Sequence, residues 1–406
     1  MKNEKSVLKK ILTVLLIGVA VFYVSRLMVL HYNQTMYPKT GLYESDIYAH
    51  IAMALDGWGY SLTAIIIRLF SFLPNEGAFH FAFAVFLGLC EAATIAVTYV
   101  FFTKNKISGN LGIFVSLVSA FVMPCYVRSI QACRYIGYQS ASIWHNSTYI
   151  VMKICALACI CLYVEIAEKY YSEMKYKKVV VFAILLALAT AVKTNFILVF
   201  APAALIFLII DKINGVSWKR VLLCSLTVIP SIFVILFQEL VLFGKDTGNG
   251  IMIDPLYAVY LRAEKPYFTM ILSALFPVII LLYNIVPVIK DTIADLRKKQ
   301  GVLTHRTFLL AWSMWTVGFV ELLLLRETGE RALDDNFAWG YDIGLFFVFL
   351  ISIVYFIKNI VSVKEKKNKV VAVVADSLAG VVLIYHTWCG IVFFVKLCSG
   401  ATFFMQ

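Results

Sequence analysis

The segment Gly41-Leu42-Tyr43-Glu44-Ser45-Asp46-Ile47-Tyr48-Ala49-His50 carries two carboxylates one residue apart, with an imidazole four residues after the second. A carboxylate so placed can take a proton from a hydroxyl, and a pair can help hold a divalent cation. The segment comes soon after the first apolar stretch of the chain, Ile11 to Leu30. Ionisable groups at the edge of a bilayer are costly, which makes this motif a functional-site candidate. Ser45 is a preferred N-cap residue, and a helix from Ser45 to Ala54 would put Asp46 and His50 on one face at i, i+4.

The elements that must position these groups follow from composition. The chain has 406 residues, 61% hydrophobic and 15% charged, with a mean hydropathy of +0.85; soluble domains are roughly 45–50% apolar. The expected fold is an all-α integral membrane protein. Spans are expected at 11–30, 79–102, 110–127, 147–167, 179–193, 196–211, 220–243, 267–289, 307–326, 341–358 and 370–397, about eleven helices near the ~20 residues that a bilayer core demands. Lys2, Lys5, Lys9 and Lys10 precede the first span and no small-residue cleavage site follows it, the pattern of an uncleaved anchor.

With the N-terminus cytoplasmic, threading puts Lys104, Lys106, Lys169, Lys175, Lys177, Lys178, Lys212, Lys219, Arg220, Lys290, Arg297, Arg306, Lys358 and Lys369 on the inner side. That arrangement obeys the positive-inside rule and leaves the C-terminus extracytoplasmic. The formal charge of +12 is therefore a topology signal and an attraction to anionic lipid, not a nucleic-acid footprint. Acids such as Glu44, Asp46, Asp56, Glu76, Asp254, Glu327, Asp334 and Asp335 fall in the outer loops.

The longest outer segment, 31–78, holds the acidic motif and is expected to contain interfacial helices. Two further segments read as pocket walls: Arg128 to Thr148, with Arg128, Arg134, Trp144, His145 and Asn146, and Arg326 to Tyr341, with Arg326, Glu327, Arg331, Asn336 and Trp339. Aromatic rings beside amides and carboxylates suit a sugar, which offers C–H faces and hydroxyls; an interfacial aromatic belt accounts for the rings alone. Lys193 lies where two short spans meet, pointing into a pocket or snorkelling to the interface. Lys153 lies a turn inside its span with no acid near it in sequence, so a phosphate or a bundle-facing partner is expected.

No zinc pattern appears. Mg²⁺ or Mn²⁺ is the only cofactor the acidic motif could take, since hard cations accept carboxylates together with phosphate oxygens; the sequence requires neither. The nine cysteines lie mostly within spans, where Cys acts as a small apolar residue; Cys125 and Cys133 are near enough to pair, and nothing in their spacing demands it.

An acidic Glu44-Ser45-Asp46 motif in the first outer loop, followed by an interfacial helix, resembles the GT-C superfamily of membrane glycosyltransferases. The resemblance covers residues 1–212 best. It implies a first module over 1–212 and a second transmembrane module over 213–406 that completes the pocket, both in one integral membrane unit. It also implies a polyprenyl-phosphate sugar donor, a glycan or lipid acceptor, an active site on the extracytoplasmic side of the cell membrane, and inversion at the anomeric carbon. The chain lacks the large lumenal modules of protein-modifying members, which argues against a protein acceptor.

On that reading Asp46 is the general base for the acceptor hydroxyl, Glu44 positions the acceptor or a cation, and the departing phosphate needs fixed cations. Arg128, Arg134, Lys153, Lys193, Arg326 and Arg331 are the candidates, with His50 a further substrate-binding residue. Two other classes fit parts of the sequence. Glu91, Glu239, Glu321 and Asp376 inside spans suit a lipid-sugar flippase or transporter, and Arg-bearing outer loops suit a cell-surface polysaccharide polymerase.

Overall fold

The computed structural model describes residues 2–57, 60–135, 137, 141–169, 171–243, 250–299, 303–365 and 368–403. Within the 128–148 wall, residues 136 and 138–140 lie outside that set. The chain is helical almost throughout: α1 (Lys2–Thr35), α2 (Tyr37–Thr40), α3 (Asp46–Leu55), α4 (Leu62–Phe70), α5 (Glu76–Lys104), α6 (Gly109–Ala120), α7 (Ser147–Lys169), α8 (Tyr176–Val192), α9 (Asn195–Ile213), α10 (Trp218–Ser225), α11 (Ile229–Phe243), α12 (Tyr257–Arg262), α13 (Pro266–Ser273), α14 (Leu275–Lys298), α15 (Arg306–Leu324), α16 (Ala338–Val361) and α17 (Lys369–Cys398). Two short strands, β1 (Gly250–Ile253) and β2 (Leu325–Thr328), pair antiparallel.

Among the described residues, nine helical segments are long and apolar enough to cross a membrane: α1, α5, α7, α9, α10 with α11, α14, α15, α16 and α17. The chain is a multi-pass membrane protein. Two of the eleven expected spans correspond to shorter helices, α6 with 12 residues and α8 with 17. The helix expected to continue to residue 127 stops at Ala120, and a non-helical strip follows it. That strip is enclosed by protein: Met123 N donates to the His386 carbonyl and Cys125 N to the Leu272 carbonyl, at 3.3 and 3.1 Å. Non-helical backbone at membrane depth survives only when its polar groups are satisfied in this way.

Gly390 on α17 permits the close approach, because a Cβ there would overlap the Phe121 carbonyl oxygen. Gly390→Ala should therefore push α17 off the strip and lower stability by about 1–3 kcal/mol, the usual cost of overpacking. Thermal unfolding in detergent measures this, and an unchanged melting temperature would refute it.

Helix α16 is the central pillar. Its most apolar stretch is 78% buried, against 11% for that of the peripheral α1. Small residues let its neighbour close in: a Cβ at Gly318 of α15 would lie 2.6 Å from the Gly340 backbone, and one at Gly344 would lie 2.7 Å from Trp315 Cα. Packing of this kind is what holds helices together where lipid removes the hydrophobic drive.

The alternation of helices sorts the chain's charges. At one end Lys104 bonds Glu165 at 3.0 Å, Lys178 bonds the same carboxylate, and Arg220 donates to the Ser172 carbonyl at 3.0 Å. The opposite end carries the N-termini of α3, α7, α9 and α16. The 31–78 segment, where interfacial helices are expected, forms helices α3 and α4, each capped by a serine: Ser45 Oγ accepts from Ile47 N and Ser61 Oγ from Ala64 N.

Candidate functional site

A cavity of about 550 Å³ opens at the end opposite the basic loops. Asp46 and His50, one turn apart on α3, both face it. Asp46 is the first residue of its helix, where the positive end of the helix dipole favours a carboxylate.

Asn146, just before α7, holds that carboxylate. Its Oδ1 accepts from Tyr149 N at 2.9 Å, capping α7, which turns its Nδ2 to donate to Asp46 Oδ2 at 2.7 Å. Thr148 Oγ1 donates to Asn146 Oδ1 at 2.7 Å and accepts from Lys193 Nζ at 3.2 Å. A continuous polar chain therefore runs Lys193–Thr148–Asn146–Asp46. His145 Nε2 lies 3.6 Å from the same Asp46 oxygen, and His50 Nδ1 meets Ser147 Oγ at 2.8 Å.

Burial alone would raise the Asp46 pKa, yet His145, His50, the Asn146 hydrogen bond and Lys193 together hold it below the ordinary carboxylate value. Burial pushes both imidazoles down to about 4 despite the pull of Asp46.

This has a consequence for stability. An imidazole whose folded pKa lies below its unfolded value of about 6.5 takes up its proton first in the unfolded chain. Its contribution is therefore intact above about pH 6.5 and is lost as the pH falls towards 4. The melting temperature should decline across that window, and His50→Gln with His145→Gln should flatten the decline. An equal slope in the double variant would contradict the assignment.

The second wall comes from β2 and the loop before α16. Asn336 Nδ2 donates to Glu327 Oε2 at 2.6 Å, and its carbonyl accepts from Asn195 Nδ2 at 2.7 Å. Arg331 pairs with Asp334 at 3.2 Å and Glu327 at 3.5 Å, and Arg262 pairs with Asp335. Lys193 is left as the cavity-lining cation with no carboxylate bonded to it among the described residues; its Nζ sits 4.6 Å above the Trp339 ring. Just beyond it α9 begins with no side-chain cap, and the open amides of an uncapped N-terminus attract anions.

Nine expected site residues line this cavity: Asp46, His50, His145, Asn146, Lys193, Glu327, Arg331, Asn336 and Trp339. The others stand elsewhere. Glu44 is half-buried before α3 and is not part of the lining, and Arg128 is exposed on a turn. Arg134 stacks over Tyr126 at 4.1 Å and Arg326 pairs with Asp254 at 3.0 Å. Trp144 is buried in a separate aromatic cluster, donating to Tyr23 Oη at 2.8 Å. Lys153 is buried over the Phe346 ring at 4.2 Å, away from the cavity lining.

Sequence reading missed Tyr60, Tyr135, Asn195, Gln238 and Arg262, which also line the cavity. Asn195 sits in the Lys193 turn and could have been taken with it. Gln238 carried no local signal; its amide donates to the carbonyls of Tyr60 and Ala191 at 3.2 and 3.0 Å, tying α11 to the loop before α4 and to the end of α8. Among the described residues no group of three or more His, Cys, Asp or Glu is arranged to hold a metal ion. A divalent cation here would need substrate oxygens to complete its shell.

Fold and site together define a multi-pass α-helical membrane protein with a polar, aromatic-walled cavity at one end of its bundle. Comparison with known protein families, with characterised proteins and with solved structures finds no match.

Proposed function

We propose that the protein is a GT-C-like membrane glycosyltransferase that moves a sugar from a polyprenyl-phosphate carrier to an extracytoplasmic glycan or lipid acceptor. One observation carries this reading: a single cavity holds an ionised carboxylate, Asp46, and an ammonium, Lys193, to which no carboxylate is bonded among the described residues, beside an uncapped helix N-terminus. General-base attack on a phosphate-activated sugar needs that division of charge. The basic loops at the other end support an extracytoplasmic cavity, and the eleven-span, N-inside topology counts α6 and α8 as crossings.

The acceptor hydroxyl attacks the anomeric carbon as the bond from that carbon to the lipid phosphate breaks. The proton passes to Asp46, and the phosphate leaves with the bonding pair towards Lys193 and the first amides of α9. Inversion follows from a single displacement. Trp339, 4.6 Å from Lys193 Nζ, offers a face for the sugar's C–H bonds. Glu44, outside the lining, has no part in this scheme.

Cell-envelope glycans from cells carrying the wild type or Asp46→Asn test the reading. The expected result is loss of one sugar substituent with accumulation of its lipid-linked precursor. Unchanged glycans with blocked lipid-sugar translocation would make the protein a flippase.

A further inference from the structure

A second cavity, about 400 Å³, lies between α7, α8, α9 and the α10–α11 junction. Its walls are apolar, built from residues such as Phe182, Phe200, Leu205, Leu208 and Val228, and it is open sideways at Pro202 and Leu205. A slot of this kind between membrane helices does not hold water, because water needs polar partners that these walls lack. Its lining suits hydrocarbon.

Its polar floor is Arg306. The guanidinium is satisfied on two sides, by Asp211 and by Tyr163 Oη at 2.8 Å, while its buried Nε–H meets no acceptor among the described residues. Apart from α9, every wall lies towards the basic end of the bundle: Ala167 is in the last turn of α7, Val179 in the first turn of α8, Ser225 ends α10 and Arg306 begins α15. Lys175, Lys177 and Lys219 stand exposed on the segments around that end. Glu165 there is already occupied by Lys104 and Lys178, which leaves exposed Glu168 and Glu173 as the opposing charges. Trp218, 62% exposed at the start of α10, is a typical interfacial anchor.

We propose that this slot binds an anionic glycerophospholipid from the leaflet at the basic end, with one acyl chain between α8 and α9 and the phosphate among the surrounding lysines. Basic pockets between membrane helices take anionic head groups in this manner. The inference is independent of the glycosyltransferase reading.

The test uses the full-length protein purified in mild detergent, with retained lipids identified by mass spectrometry and competition run between phosphatidylglycerol and phosphatidylcholine. Wild type should keep phosphatidylglycerol. Ala201→Trp, which fills the slot, should keep about tenfold less, a loss of ~1.4 kcal/mol in binding. The surface variant Lys175→Gln/Lys177→Gln/Lys219→Gln, which leaves the core untouched, should bind the two lipids equally. Asp46→Asn should retain phosphatidylglycerol as the wild type does. Equal affinity for both lipids in the wild type would overturn the proposal. So would displacement of an isoprenoid phosphate, rather than a glycerolipid, by Ala201→Trp.

Discussion

Asp46→Asn should reduce sugar transfer by about 10²–10⁴-fold, the contribution of a well-placed general base. The substitution keeps the side chain's shape, and its amide oxygen can still accept the 2.7 Å hydrogen bond from Asn146. What disappears is the charge and the capacity to take a proton. The loss should therefore fall on kcat rather than on donor binding, as single-turnover transfer with a purified polyprenyl-phosphate sugar would measure. Asp46→Glu keeps the charge but moves it by one methylene at the first position of α3, so its activity should lie between the two. Activity of Asp46→Asn within a few-fold of wild type would remove Asp46 from the chemistry.

The second large effect is on stability. Asp211 at the end of α9 is fully buried and receives both terminal nitrogens of Arg306 at 2.7 Å, with Tyr171 Oη adding a third hydrogen bond at 2.9 Å. Removing one partner of such a pair strands an uncompensated buried charge, at a cost of about 3–5 kcal/mol. Arg306→Met should lower the unfolding free energy by that amount. Arg306→Met with Asp211→Leu should recover much of it, because apolar groups can replace a buried pair at little net cost. Reversible unfolding in mixed micelles compares the three proteins, and a double variant as weak as the single one would show that the pair contributes beyond mutual neutralisation.

What was legible in the sequence was local. The Ser45 cap, the shared face of Asp46 and His50, and the turn at Lys193 each depend on residues within about one helical turn, where spacing fixes geometry. The 110–127 span was legible only in part, because hydropathy does not distinguish a helix from a non-helical strip held by its neighbours' carbonyls. Glu44 and Asp46 are equal in sequence and unequal in space. Helix α3 begins at Asp46 and turns that side chain inward, while Glu44 remains on the segment before it, outside the cavity lining.

The sequence alone determined that this is a helical membrane protein, through the length of its apolar runs, and that its charges divide between two ends, through the cost of placing them in lipid. Only the tertiary structure decided which polar groups meet. Asn146 reaches Asp46 across 100 residues, Thr148 reaches Lys193 across 45 and Arg306 reaches Asp211 across 95. No periodicity encodes these encounters. They arise because helix packing brings the ends of distant segments together, and a buried polar group is stable only beside whichever partner that packing supplies.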